Sequence, residues 1–112
     1  MKPGPFEEMG SLDRLVHDPS RLAILTALSA CKQMDFQALQ SLTGQTSGNL
    51  SMHLTKLQRG ELVTITKSFR GRYPLTTLGL TKTGRDTIRR YWKRLEQLRR
   101  ATKAWRPSEQ LG

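Results

Sequence analysis

Apolar residues recur with a helical period up to about residue 60, then with a period of two, and a helical period returns near residue 82. Leu22, Ile24, Leu25 and Leu28, with Ala23 and Ala27, predict a helix buried over a broad face. Asp18-Pro19 opens it, because a carboxylate suits the N-cap and proline the first helical position, where no N–H is needed. A short helix is expected before it, over about Leu12 to Val16. Asp35 is a second N-cap, with Phe36, Leu39 and Leu42 predicted inward and Thr43-Gly44 as the stop. The next stripe, Leu50, Leu54 and Leu57, has i, i+4, i+7 spacing and predicts a helix over about 47–59.

From Leu62 the pattern alternates. Val63, Ile65 and Phe69 are predicted inward, and Thr64, Thr66 and Ser68 outward, as in a half-buried strand. Arg70-Gly71-Arg72-Tyr73-Pro74 is turn chemistry, and Leu75 to Leu80 returns as a second strand with Leu78 and Leu80 inward. Thr81 then caps a long helix of about Lys82 to Trp105 with apolar positions Ile88, Tyr91, Trp92, Leu95, Leu98 and Trp105. Tyr91, Leu95, Leu98, Thr102 and Trp105 step by four and three, a heptad seam with Thr102 as its weak member. The seam is expected to lie exposed on a monomer, with Ile88 and Trp92 folding back on the domain. The expected fold class is mainly α with a small β-hairpin.

Charge is unevenly placed. Residues 1–55 hold four Lys/Arg against five Asp/Glu, whereas residues 56–112 hold fifteen against four. A one-sided basic excess is the footprint of a polyanion partner, and such binding weakens steeply with salt. The plainer reading is a solvated face that aids solubility. Cys31 is the sole cysteine, which excludes an intrachain disulfide and a cysteine-rich metal cluster. No apolar run nears the roughly 18 residues of a membrane span, and the N-terminus has no signal-peptide centre. A cytoplasmic location is therefore expected.

Helix, helix, helix, hairpin and long helix is a recognisable order. The chain resembles the small stand-alone winged helix-turn-helix regulators, a group related to the MarR and ArsR families. The likeness rests on Leu15 to Leu25, Gly48 to Leu57, the hairpin from Lys67 to Thr77, and Leu80-Thr81-Lys82-Thr83-Gly84-Arg85. It implies a winged helix-turn-helix domain over residues 12–80, with a recognition helix at about 47–59 and a wing at about 62–80. A flexible arm at 1–11, a C-terminal dimerisation helix at 81–106 and a frayed tail at 107–112 complete the expected organisation. Two departures stand out. Gly60-Glu61 replaces the family's Ala-Gly before the wing, so either the helix ends one residue earlier or Glu61 takes an unusual backbone conformation. Met52 stands where ArsR-like relatives often carry Arg, so their base preference does not transfer.

The resemblance assigns a DNA face to Thr46, Ser47, Gly48, Asn49, Met52, Lys56 and Arg59 on the recognition helix, and to Lys67, Arg70, Arg72 and Tyr73 on the wing. Asn49 suits adenine, because its amide pairs with both N6 and N7, and Met52 suits a thymine methyl. Thr46, Ser47 and Lys56 suit phosphates, and Gly48 permits close approach. Thr55 shares the outward face. His53 flanks the stripe and reads as a packed histidine, with a phosphate contact as the alternative. The dimer interface is assigned to Tyr91, Leu95, Leu98, Thr102 and Trp105.

The leading expectation is a homodimeric regulator, a repressor, on a palindromic double-stranded DNA operator. The alternatives are a protein-interaction module for an acidic partner and non-specific nucleic-acid packaging. An enzyme is not expected, since the nine acids are scattered and no nucleophile–base pair or phosphate loop is evident. No cofactor is expected and no metal, because His17, Cys31 and His53 are far apart in sequence. Cys31 reads as a structural thiol sooner than a redox switch, and a small-molecule effector is left unassigned.

Overall fold

A computed structural model describes residues 14–104 of the chain. Helix α1 (Pro19–Ser29), strand β1 (Met34–Asp35), helices α2 (Phe36–Thr43) and α3 (Ser47–Arg59), strands β2 (Val63–Arg70) and β3 (Tyr73–Leu80) and helix α4 (Lys82–Ala104) follow in order. The arm at 1–11, the first residues of the helix expected at Leu12, Trp105 and the tail at 107–112 lie outside the described residues.

Each helix begins where a short polar side chain can take a free N–H. Asp18 accepts from the Arg21 N–H at 3.0 Å, Asp35 from Ala38 at 2.7 Å and Thr46 from Asn49 at 3.2 Å. Residues 14–16 form a turn where a helix was expected. The Val16 carbonyl is taken by the Asp18 N–H at 2.7 Å, and Asp18, preceding proline, is extended at φ −146° and ψ 127°. Val16 still plugs the core, at 0% exposure.

The sheet order is β1-β3-β2, all antiparallel, with Leu78 opposite both Met34 and Ile65. β1 is two residues long and adds a third strand to the expected hairpin. Two residues are too few for any alternation to register. The hairpin closes through Gly71-Arg72 between the paired Arg70 and Tyr73, and Gly71 has φ +63°. Glycine first of two turn residues fits the twist of the flanking strands.

Ile24, Leu25 and Leu28 of α1, Leu39 of α2, Leu50, Leu54 and Leu57 of α3, and Leu62, Val63, Leu78, Ile88 and Tyr91 form one core. Leu22, Phe36, Ile65 and Leu80 pack half-buried against it, and three other residues expected inward are exposed. Leu42 is 66% exposed, because it lies two steps of three from Phe36 and has rotated past the core by the last turn of α2. Phe69 is 73% exposed, since the strand keeps its alternation beyond the point where a helix covers it. Tyr91 and Trp92 exchange the expected roles, with Tyr91 buried and Trp92 44% exposed. The inward arc of α4 is Gly84, Thr87, Ile88, Tyr91 and Leu98, and Trp92 sits about 100° around from Tyr91.

The exit from α3 locks the wing to α4. Leu62 N–H donates to Leu57 O at 2.9 Å and Glu61 N–H to Gln58 O at 2.9 Å, the paired bonds of a Schellman motif. That motif needs a left-handed residue, and Glu61 supplies it at φ +62°, so of the two outcomes expected at Gly60-Glu61 the unusual backbone conformation is the one that occurs. Thr81 then bonds this corner twice, from N–H to Leu62 O at 3.0 Å and from its hydroxyl to Glu61 O at 2.6 Å. The same hydroxyl accepts from Gly84 N–H at 2.8 Å. Gly84 lies directly on the Leu62 carbonyl, where a β-carbon would collide with backbone.

Two stability changes of opposite sign follow from this corner. Gly84→Ala should cost about 1–3 kcal/mol, because rigid backbone must move. Glu61→Gly should gain about 1 kcal/mol by relieving the left-handed strain of a residue with a β-carbon. Urea unfolding of both variants checks the pair, and equal midpoints for the two would refute this account of the corner.

Candidate nucleic-acid interface

α3 is divided lengthwise. Leu50, Leu54 and Leu57 are 0–2% exposed and His53 is 8% exposed, while Gly48, Asn49, Met52, Thr55, Lys56 and Arg59 all face solvent. His53 is thus packed, with its Nδ1 3.5 Å from Arg21 Nη1. Arg21 also donates from Nε to Leu15 O at 2.6 Å and lies 4.0 Å from the Asp18 carboxylate. The Arg21 backbone N–H holds the Asp18 carboxyl below its ordinary value of 3.8; burial opposes this, while the charges of Arg21 and His53 assist. Gln45 ties the turn before α3 to α1, donating from Nε2 to Ser20 O at 3.0 Å. The helix is therefore fixed in rotation and tilt by polar bonds as well as by its leucines.

The N-terminal end of α3 is open. Thr46 uses its oxygen to cap Asn49, which leaves its hydroxyl proton available. The first N–H groups of a helix lack intrahelical partners and carry the positive end of its dipole. Thr46 and Ser47 are exposed there. Gly48 is exposed too, and a β-carbon on it would meet nothing within 4 Å, so no internal packing demands a glycine.

The hairpin adds the second cationic element. Lys67, Arg70, Arg72 and Tyr73 are exposed, Tyr73 by 78%, and Phe69 stands bare near the same tip. Between α3 and the sheet lies a groove of about 380 Å³, bordered by Ser47, Ser51 and Thr55 on the helix and by Lys67 and Thr76 on the strands. Ser51 and Thr76 were not among the residues expected here, although counting back from Thr55 by four, and across the hairpin from Lys67, finds both.

The expected dimer seam is divided differently. Tyr91 and Leu98 are 7% and 6% exposed within the chain, so they do not form an exposed stripe on a monomer. Tyr91 packs in the core, and its hydroxyl lies 3.2 Å from His17 Nδ1. Leu95 is half-buried against the core, Thr102 is exposed and bonds Leu98 O at 2.9 Å, and Trp105 is outside the described residues. Trp92 instead rims an apolar cleft of about 690 Å³ with Leu22, Ala27, Met34 and Leu42.

Among the described residues no cluster of three or more His, Cys, Asp or Glu is placed to hold a metal ion. Cys31 is half-buried, its Sγ 3.9–4.0 Å from the Leu28 and Ala27 carbonyls at the end of α1. No helix among these residues is long and apolar enough to cross a membrane.

Residues 20–99 match the family model described as a winged helix DNA-binding domain. The chain belongs to that family. This winged helix chain is similar to a transcriptional regulator homologue from Pyrococcus horikoshii OT3, with 28% identity over 82% of this chain and 93% of that one, and a TM-score of 0.77. It shares its fold with the PcaV transcriptional regulator from Streptomyces coelicolor, with 20% identity over 95% of this chain and 74% of that one and a TM-score of 0.69. A MarR-family transcriptional regulator from Silicibacter pomeroyi has the same fold, with 22% identity over 96% and 70% and a TM-score of 0.62. No curated protein matches the chain. The family is one of transcriptional regulators, not of enzymes.

A phosphate or base edge meeting the open end of α3 is a proposal that Gly48 can test. Gly48→Ala should raise stability by up to about 1 kcal/mol, because alanine is the better helix former and has room. It should at the same time weaken duplex binding, because the added methyl holds the backbone away. Paired unfolding and fluorescence-anisotropy titrations check the opposite signs; unchanged affinity would remove Gly48 from the interface.

Proposed function

We propose that the protein is a sequence-specific regulator of transcription, a repressor that acts as a homodimer on a palindromic double-stranded DNA operator. One observation carries this reading: the wet half of α3 presents Asn49, Met52, Lys56 and Arg59 from a helix whose other half is dry and bolted to α1. A helix so held can enter a major groove with fixed register. Asn49 then pairs with an adenine and Met52 lies against a thymine methyl. Thr46, Ser47, Lys56 and Arg59 hold phosphates, and Gly48 lets the backbone come close. The Arg70-Gly71-Arg72 tip with Tyr73 reaches the neighbouring minor groove, where a narrow A·T tract attracts arginine.

The second copy is assigned on independent grounds. Trp92 and Leu42 are large apolar side chains left 44% and 66% exposed around one cleft. Exposed apolar surface of this kind marks an interaction site in a soluble protein. Leu95 and Thr102 continue along α4 toward the same use. A two-fold axis through α4 would set two α3 helices about one helical turn of DNA apart.

Genomic fragments captured on the purified protein at near-physiological salt, then sequenced, test the reading. A few enriched sites sharing an inverted repeat are expected. Uniform recovery would point to packaging and no recovery to an acidic protein partner, and either outcome sinks the proposal. On an enriched site, Asn49→Ala should cost about 1–3 kcal/mol and relax preference at one A·T pair, whereas Lys56→Ala should weaken all sequences alike and lower the salt slope by about one.

A further inference from the structure

The groove between α3 and the sheet is lined in a way that packing alone does not account for. On the inner face of the hairpin the register pairs run Val63 with Leu80, Ile65 with Leu78, Lys67 with Thr76 and Phe69 with Pro74. The face is thus apolar under the helices, turns to a cation and a hydroxyl, and becomes apolar again at the tip. Lys67 is the cation, and it stands where alternation alone would place another valine or isoleucine.

Across the groove α3 carries a matching line. Ser47, Ser51 and Thr55 are four residues apart, so their hydroxyls lie along one edge of the helix, about 6 Å per step. Thr55 donates its proton to Ser51 O at 2.9 Å. The Ser51 and Thr76 hydroxyls and the Lys67 ammonium make no hydrogen bond or ion pair with other described residues. Among the described residues no carboxylate lines the groove, and its floor is the half-buried Phe36 and Ile65. The lining is therefore donors and one positive charge along the walls, over an apolar base.

We propose that this groove seats the sugar–phosphate backbone of one DNA strand, with Ser51, Lys67 and Thr76 as donors to its phosphates and Phe36 and Ile65 beneath a deoxyribose. The proposal rests on the reading above that α3 enters a major groove and the wing the adjacent minor groove. The two grooves of a duplex are separated by one backbone, and only the space between α3 and the wing can receive it. The Ser47 and Ser51 hydroxyls, about 6 Å apart along the helix and faced by Lys67 and Thr76, suit successive phosphates better than one isolated anion. The seat touches no base edge. It fixes how far α3 and the wing slide along the duplex, and so the register in which Asn49 meets its base.

Binding of an enriched duplex by wild type, Lys67→Gln and the double variant Ser51→Ala with Thr76→Val tests the seat. Each is measured also on duplexes carrying one neutral methylphosphonate at successive positions. Lys67→Gln should lose about tenfold in affinity on cognate and random duplexes alike, with a salt slope lower by about one. At one or two adjacent methylphosphonate positions the loss from the DNA change and the loss from Lys67→Gln should fail to add, because both remove the same contact. The double variant should show the same non-additivity at those positions with the salt slope unchanged. Additive losses at every position, or no loss in either variant while wild type binds, would overturn the seat and leave the DNA reading standing. Wild type that binds no duplex would overturn both.

Discussion

The dry leucine stripe of α3 is the constraint on which the rest depends. Leu50, Leu54 and Leu57 are 0–2% exposed against α1 and the sheet. Burying three leucines removes several hundred square ångströms of apolar surface from water, worth several kcal/mol in a domain with few to spare. No rotation of α3 keeps them dry except this one. Once it is set, the residues at intermediate angles have no choice of direction, and Asn49, Met52 and Lys56 face outward as a consequence of where the leucines must go. The Arg21 contacts to His53, Leu15 and Asp18 refine the same rotation. They bring charged and polar groups to the one edge of α3 that faces α1, where a bulk apolar contact would tolerate sliding.

A second constraint acts at the end of that helix. The Schellman exit turns the chain out of α3 and straight into β2, so the wing begins where α3 stops. Glu61, Leu62, Thr81 and Gly84 then join three elements within one corner, because the carbonyls of residues 61 and 62 are both answered by Thr81. The relative placement of α3, wing and α4 is fixed by backbone groups. Side chains on the outer surfaces can accordingly vary without moving the frame. The left-handed Glu61 is the strained member, and two Thr81 bonds and a buried Leu62 hold it there.

Much of this was legible beforehand, and the exceptions share a cause. Caps at Asp18, Asp35, Thr81 and the stop at Gly44 depend on local chemistry, which sequence displays directly. The α3 face was legible because i, i+4, i+7 spacing admits a single orientation. Leu42, Phe69 and Trp92 were placed inward by hydrophobicity, but whether an apolar residue is covered depends on how far the neighbouring layer extends. α2 ends, the hairpin outruns the helices, and α4 turns its Tyr91 inward in place of Trp92. β1 exists only because β3 is there to pair with it. Ser51 and Thr76 can each be reached by counting along the sequence, but their meeting at one groove was not legible, since residues 51 and 76 come together only once the sheet packs on α3.

The placement of charge separates two tasks that are easily confused. The whole chain has a formal net charge of +10, and much of it lies on the hairpin and α4, away from the middle of α3. Charge of that kind attracts any duplex and cannot tell one sequence from another, because phosphates are the same everywhere. On the N-terminal half of the exposed face of α3 stand Asn49 and Met52, both uncharged. If a base pair is worth about 1–3 kcal/mol of discrimination, two such side chains per copy supply only a modest ratio over random DNA. Recruiting a second copy doubles the discriminating contacts and squares that ratio. On the proposed pairing, the exposed Trp92 and Leu42 bear on specificity as well as on assembly: a winged helix this basic, reading with so few uncharged side chains, would have the most to gain from acting in pairs.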